Sequence, residues 1–122
     1  MTTTITVNTA CRLKSLLDDV NLSGVSAKER LDLADLHGRL IEVHVTARRA
    51  ITQLQREYVE TDDNGEPVRD DEGDLVYTDE EAWSEEVKAI HEEEVTIEPL
   101  PPSAWQGWPN ELVAVLRPVL SA

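Results

Sequence analysis

The apolar positions of this chain change period several times, and each change marks an element. Residues 3 to 7, Thr-Thr-Ile-Thr-Val, alternate and are β-branched, which predicts a short strand. A first helix is expected over roughly residues 9 to 20, capped by Asn8 or Thr9, with Leu13, Leu16, Leu17 and Val20 along one face. Residues 21 to 25, containing Ser23-Gly24, predict a turn.

Ser26, with Glu29 three residues later, forms a capping box and opens a long helix. Leu33, Leu36, Leu40, Val43, Ala47, Ala50 and Leu54 follow at alternating spacings of three and four, a heptad seam that Ile51 and Tyr58 widen. Gly38 interrupts it, either weakening the helix or admitting another backbone. Such a helix is a rod of roughly 50 Å at about 1.5 Å per residue. A small domain cannot wrap all of it, so part is expected to meet a partner or solvent.

Two turn signals follow, Asp63-Asn64-Gly65 and Glu72-Gly73-Asp74, and predict a β-hairpin or extended acidic loop at the tip of a helix pair. Thr78 and Glu81 suggest a second capping box, starting a helix from residue 79 to about 93 with Trp83, Val87 and Ile90 on one face. This helix should return antiparallel along the long one. Residues 94 to 98 alternate again and suit pairing with residues 3 to 7. Pro99, Pro101 and Pro102 end that strand; residues 103 to 108 read as a loop, and a short helix with Leu112, Val113, Val115 and Leu116 runs up to Pro118. No internal repeat stands out.

These elements predict a mostly-α α+β fold in one domain over residues 1 to 122. It comprises a long antiparallel helical hairpin, a two-stranded sheet joining residues 3–7 to 94–98, and an acidic hairpin or loop, residues 60–78, inserted between two helices. A chain of 122 residues can bury a core without metals or disulfides. Phe is absent, so the core must be aliphatic, helped by Tyr58, Tyr77, Trp83, Trp105 and Trp108. The lone Cys11 reads as a small buried hydrophobe and permits no intrachain disulfide, which suits a cytoplasmic setting. The N-terminus lacks the basic-then-apolar pattern of a signal peptide, and no window reaches the roughly 18 apolar residues of a membrane span.

Charge sharpens this picture. Between residues 60 and 94 lie sixteen acidic and two basic residues, which account for the whole net charge of −14; the rest of the chain balances, nine against nine. Such a field repels phosphate backbones, so direct nucleic-acid binding is not expected. Three lysines against eight arginines suit a salt-loving host or a GC-rich genome.

Candidate chemistry is sparse. His37 and His44 are seven apart, two helical turns, too far to chelate one ion directly, and His91 beside Glu92 and Glu94 is a weak ligand set. The acidic turns starting at Asp62 and Asp70 fail the calcium-loop pattern, since the sixth positions are Pro67 and Leu75 where glycine is required. Phosphate-binding glycine loops, nucleophile elbows and cysteine pairs are missing, and carboxylates on a solvated arm are poor general acids. The expectation is a non-enzyme without cofactor or metal. Leu36, Leu40 and Val43 on the heptad seam are candidate partner-binding residues, as are Trp105 and Trp108, a tryptophan pair in a proline-bounded loop that either anchors an interface or caps the core of a Phe-free protein. Asp70, Asp71, Glu72, Asp74, Glu80, Glu81, Glu85 and Glu86 form a candidate acidic surface.

The order of elements resembles a family of small tailed-phage proteins of unassigned function, often encoded among virion and tail genes. The likeness covers roughly residues 31 to 100: the helix from Leu33-Ala-Asp-Leu-His-Gly-Arg-Leu40 to Tyr58, the turns Asp63-Asn-Gly65 and Asp71-Glu-Gly73, the acidic helix over residues 83 to 93, and Val95-Thr-Ile-Glu-Pro-Leu100. The chain departs from it in Arg48, Arg49 and Arg56 and in the Trp105–Trp108 loop. The resemblance implies a phage origin, a structural or assembly role through protein partners or self-association, and residence in the host cytoplasm during assembly or in the virion. It transfers no site residues. The alternative left open by the charge is an acidic antagonist that mimics nucleic acid toward a host nucleic-acid-binding protein.

Overall fold

The computed structural model describes residues 2–101, 105 and 108–120. Strand β1 is Thr3–Thr6, and α1 is Val7–Asp18. The Thr6 side chain accepts the Thr9 N–H at 3.1 Å, so the strand ends and the helix begins at Val7, earlier than the sequence pattern suggests. Val7, Ala10, Leu13 and Leu17 face inward, whereas Leu16 is exposed.

Helix α2, Ala27–Tyr58, is the predicted rod. Ser26 caps it by accepting the Glu29 N–H. Its buried face is Leu33, Leu36, Leu40, Val43 and Ala47, against which α1 packs antiparallel-fashion through Leu13 and Leu17. Helix α3, Glu80–Glu92, returns along the far half of α2. Its cap is Asp79, which accepts the Ala82 N–H; Thr78, the expected cap, instead donates its hydroxyl to the Tyr58 carbonyl.

Strand β2, Glu94–Ile97, pairs antiparallel with β1, Thr3 opposite Ile97 and Thr6 opposite Glu94. The Val7 N–H then bonds to the Glu93 carbonyl, tying the start of α1 to the end of α3. Helix α4, Asn110–Leu116, and a 3-10 turn, Arg117–Val119, add Leu112, Leu116 and Val119 to the core. A bond from the Leu100 N–H to the Val119 carbonyl holds this last segment beside the strand exit.

The tip of the helix pair is neither a plain hairpin nor an open loop. Three short segments, residues 59–61, 67–69 and 75–77, pair in turn: Thr61 with Pro67, Arg69 with Leu75, and Val59 with Tyr77. Their central residues close a ring of hydrogen bonds. The Val68 N–H donates to Glu60, the Val76 N–H to Val68, and the Glu60 N–H to Val76. The corners repeat as well. The Asp62 N–H bonds to the Glu66 carbonyl, the Asp70 N–H to Asp74, and the Thr78 N–H to Tyr58. Two corners are thus acidic turns, and the third is the mouth of the helix pair.

This geometry exposes a sequence repeat that the pattern of apolar positions did not bring out. Asp-Asp-Asn-Gly-Glu-Pro-Val-Arg from Asp62 is followed at once by Asp-Asp-Glu-Gly-Asp-Leu-Val-Tyr from Asp70. In each unit the first aspartate's Oδ1 accepts two backbone N–H groups, from Asn64 and Glu66 in one and from Glu72 and Asp74 in the other. In each, the glycine takes positive φ, +78° at Gly65 and +87° at Gly73, the left-handed conformation that closes the turn.

An aromatic cluster seats the ring on the helices. Tyr77 stacks on Trp83 at 4.7 Å between ring centres, and Tyr58 tilts against Trp83 at 6.4 Å. Aromatic pairs in this range add about 0.5–1.5 kcal/mol beyond area burial. Gln55 also donates to the Tyr77 hydroxyl.

Candidate protein-binding surfaces

The seam expected to meet a partner is the core. Leu40 is fully buried, and Leu36 and Val43 are each 5% exposed. Leu36 and Leu40 are therefore inaccessible in this fold, while Val43 shows only an edge, at the floor of the groove between α2 and α3. The seam is the natural choice for burial because leucines occupy most of it, and α1 and α3 pack against it, with the C-terminal segment in the same core.

The tryptophans are likewise turned inward. Trp108 is 4% exposed and donates its indole N–H to Glu29 Oε2 at 2.7 Å. Trp105 is half-buried against the core, with its indole N–H on the Leu100 carbonyl. Both rings fill a Phe-free interior, and both polar edges find protein acceptors, as buried indoles require. The loop residues around them, 102–104 and 106–107, lie outside the described residues.

What α2 leaves accessible is a second stripe. Leu31, Ala34, Gly38, Ile41 and Val45 recur at spacings of three and four on the side away from the core, and all are exposed. Leu31 is 65% exposed, Val45 40% and Ile41 38%. A Cβ built on Gly38 meets nothing within 4 Å, so among the described residues no backbone approaches there. Beyond Val45 the same side continues as Arg48, Thr52 and Arg56, with Arg49 beside them; all three arginines are exposed, and none makes an ion pair among the described residues. The three-four spacing was present in the sequence, but the larger residues of the neighbouring seam masked it.

The second accessible surface is concave. A groove of about 570 Å³ runs between α2 and α3. Val43, Ala47, Ala50, Ala89, Ile90 and Val95 form its apolar floor, and Arg39, Glu42, Glu86 and Glu93 its rim. Arg39 lies 3.4 Å from Glu42, an exposed pair one helical turn apart.

All eight residues of the candidate acidic surface are exposed, but they do different things. Asp70 caps its own turn, as above. Arg69 donates to the Gly73 carbonyl and holds the same turn from the other side. Glu80 and Glu81 occupy the first turn of α3, where carboxylates are favoured by the helix dipole. Glu86 stands on the groove rim. Asp71 and Glu72 sit at a corner of the ring, free of these roles.

Elsewhere, Asp18 bridges α1 and α2. Its two carboxylate oxygens meet Lys14 Nζ at 2.7 Å and His37 Nε2 at 2.8 Å. The hydrogen bond from Lys14, then that from His37, holds its pKa below the ordinary aspartate value. Burial raises the pKa of the Cys11 thiol, in keeping with a packing role. Among the described residues, no group of three or more His, Cys, Asp or Glu side chains is placed to hold a metal ion, and no helix is long and apolar enough to cross a membrane. No family model, no curated protein and no solved structure matches the chain.

Proposed function

We propose that this chain is a non-enzymatic structural or assembly protein of a tailed phage, acting through protein–protein contacts. The observation that carries the binding part of this reading is the exposed stripe Leu31, Ala34, Gly38, Ile41 and Val45 on a 32-residue helix. Apolar residues at heptad spacing on an outer face are an established mode of helix docking. The phage part rests on the resemblance in the order of elements over residues 31 to 100. The occupant of the stripe is a helix of a particle protein: capsid, portal or tail.

Tagged protein incubated with infected lysate tests this. Capture of an identified particle protein that persists through high salt, and is lost in Ile41→Glu but kept in Asp71→Asn, is the expected result. Ile41 and Val45 are exposed, so their substitution should leave stability within about 0.5 kcal/mol. Leu40→Ala, by contrast, should cost about 2–5 kcal/mol and unfold the protein before it reports on binding.

The second reading, an acidic mimic of nucleic acid, is favoured by the rigid display of carboxylates on the ring and on α3. It predicts capture of a host nucleic-acid-binding protein that is lost at high salt and lost in Asp71→Asn, while Ile41→Glu keeps it.

A further inference from the structure

The α2–α3 groove has features that specify a partner more narrowly than the convex stripe does. Its α2 wall extends from Arg39 to Ala50, about 17 Å at about 1.5 Å per residue, or roughly three helical turns. The floor is small and aliphatic, with Ala47, Ala50 and Ala89 beside Val43 and Ile90 in its lining. Small side chains let a third helix axis come close to two others, as in bundles.

The rim sets the sign. Glu86 on α3 and Glu93 at its C-cap line the opening with no cation paired to either among the described residues, and Arg39 pairs with Glu42. Glu93 also marks the C-terminal end of α3, where the helix dipole is negative and favours cations. The chain as a whole is at −14, so the long-range field and the local rim agree. A second copy of this chain would bring its acidic arm, residues 60 to 94, near the same opening, whereas a separate basic helix meets no such repulsion.

We infer that the α2–α3 groove is a docking site for an amphipathic helix of about three turns whose apolar face is aliphatic and whose flanks carry Lys or Arg. The inference rests on the reading of the chain as a binding protein, and it gives that protein a second, oppositely specified contact besides the outer stripe. Apolar fit to the floor supplies the register, and the glutamates choose between basic and acidic helices.

Two synthetic peptides of about twelve residues serve as probes: Leu, Ala and Lys arranged with the apolar residues at i, i+3, i+4 and i+7, and the same composition scrambled. Fluorescence anisotropy on the full chain measures their binding. The amphipathic peptide should bind about tenfold or more tighter than the scrambled one, and Ala89→Arg, an exposed change, should remove that difference. Glu86→Lys with Glu93→Lys should weaken binding of the Lys peptide and narrow its advantage over a peptide with Glu in place of Lys. Equal binding of the two peptides, or binding unchanged by Ala89→Arg, would overturn the groove and assign the signal to general attraction by the acidic arm. A dimer in sedimentation that Ala89→Arg makes monomeric would also overturn it, in favour of a second copy. Particle association that survives Ala89→Arg but not Ile41→Glu would leave the proposed function standing while the groove fails.

Discussion

The indole N–H of Trp108 donates to the carboxylate of Glu29, seventy-nine residues earlier in the chain, at 2.7 Å. A reciprocal capping box would turn that carboxylate back on Ser26. Here the Glu29 N–H keeps its half of the box, while the side chain anchors the C-terminal segment to the start of α2. Hydrogen bonds to charged groups contribute about 1.5–3 kcal/mol. Trp108→Phe removes the donor but keeps most of the packing, so a loss of about 2 kcal/mol is expected. Glu29→Gln retains an acceptor and should cost less. Urea midpoints of the two variants check both, and a Trp108→Phe protein as stable as the parent would show that the bond is incidental.

Gly38 is exposed in the middle of α2, and the space where its Cβ would stand is empty. A mid-helix glycine costs about 1 kcal/mol relative to alanine. Gly38→Ala should therefore raise stability by about that amount, visible as an increase of several degrees in Tm. If Gly38 serves close approach by a partner helix, the same variant should bind the partner more weakly while folding better. Thermal melts and the particle pull-down, run on one preparation, separate the two effects.

The ring of Glu60, Val68 and Val76 should open as one unit. Gly73 has φ of +87°, and alanine there costs about 1–2 kcal/mol. Because each central residue both donates to and accepts from the other two segments, straining one corner loosens all three. Hydrogen exchange on Gly73→Ala is expected to show faster exchange at the amides of Glu60, Val68 and Val76 together, with the middle of α2 unchanged. Acceleration confined to the residues around Gly73 would mean that the corners are independent.

Asp18 gives the fold a pH-dependent tie between α1 and α2. Its pKa lies below the ordinary value of 3.8 in the folded chain because Lys14 and His37 bond the carboxylate. The stabilisation is therefore present above that ordinary value and is lost as pH falls through the lower folded one. Asp18→Asn should flatten part of the acid limb of the stability curve and leave the neutral region less affected by pH. Denaturant unfolding between neutral pH and the acid limit tests this; an unchanged acid slope would exclude the tie.

The fold was legible wherever a pattern repeated enough times. Seven apolar residues at heptad spacing and a Ser26 cap define α2, and β-branched alternation finds both strands, because these signals are local. What the pattern leaves open is which side of a helix is covered. Leu33, Leu36 and Leu40 are interleaved with Leu31, Ala34, Gly38 and Ile41 at the same spacing, and only the elements that pack on α2, chiefly α1 and α3, decide between them. Leu36 and Leu40 read as partner-binding residues in the sequence for that reason: a strong seam marks a packed face, without saying whether the packing partner is the same chain. Trp108 carries no local mark of inward placement, since its acceptor, Glu29, lies seventy-nine residues away, whereas Trp105 bonds to the nearby Leu100 carbonyl. The octapeptide repeat was hidden by having only two copies. The third segment, Val59-Glu60-Thr61, shares no sequence with the others and joins the ring because the helix pair delivers it.

That ring has a topological consequence for the acidic arm. A β-ribbon can lengthen or shorten by two residues and remain a ribbon, and its outer edges stay open to other strands. A three-sided ring that closes on itself has no outermost strand to offer, and its circumference is counted in whole sides. Losing one octapeptide would leave two sides that cannot close, and gaining one would force a fourth into a ring whose central amides are already matched. The arm's size is therefore quantised: drift within a side changes its charge, but only a change of architecture can alter its reach.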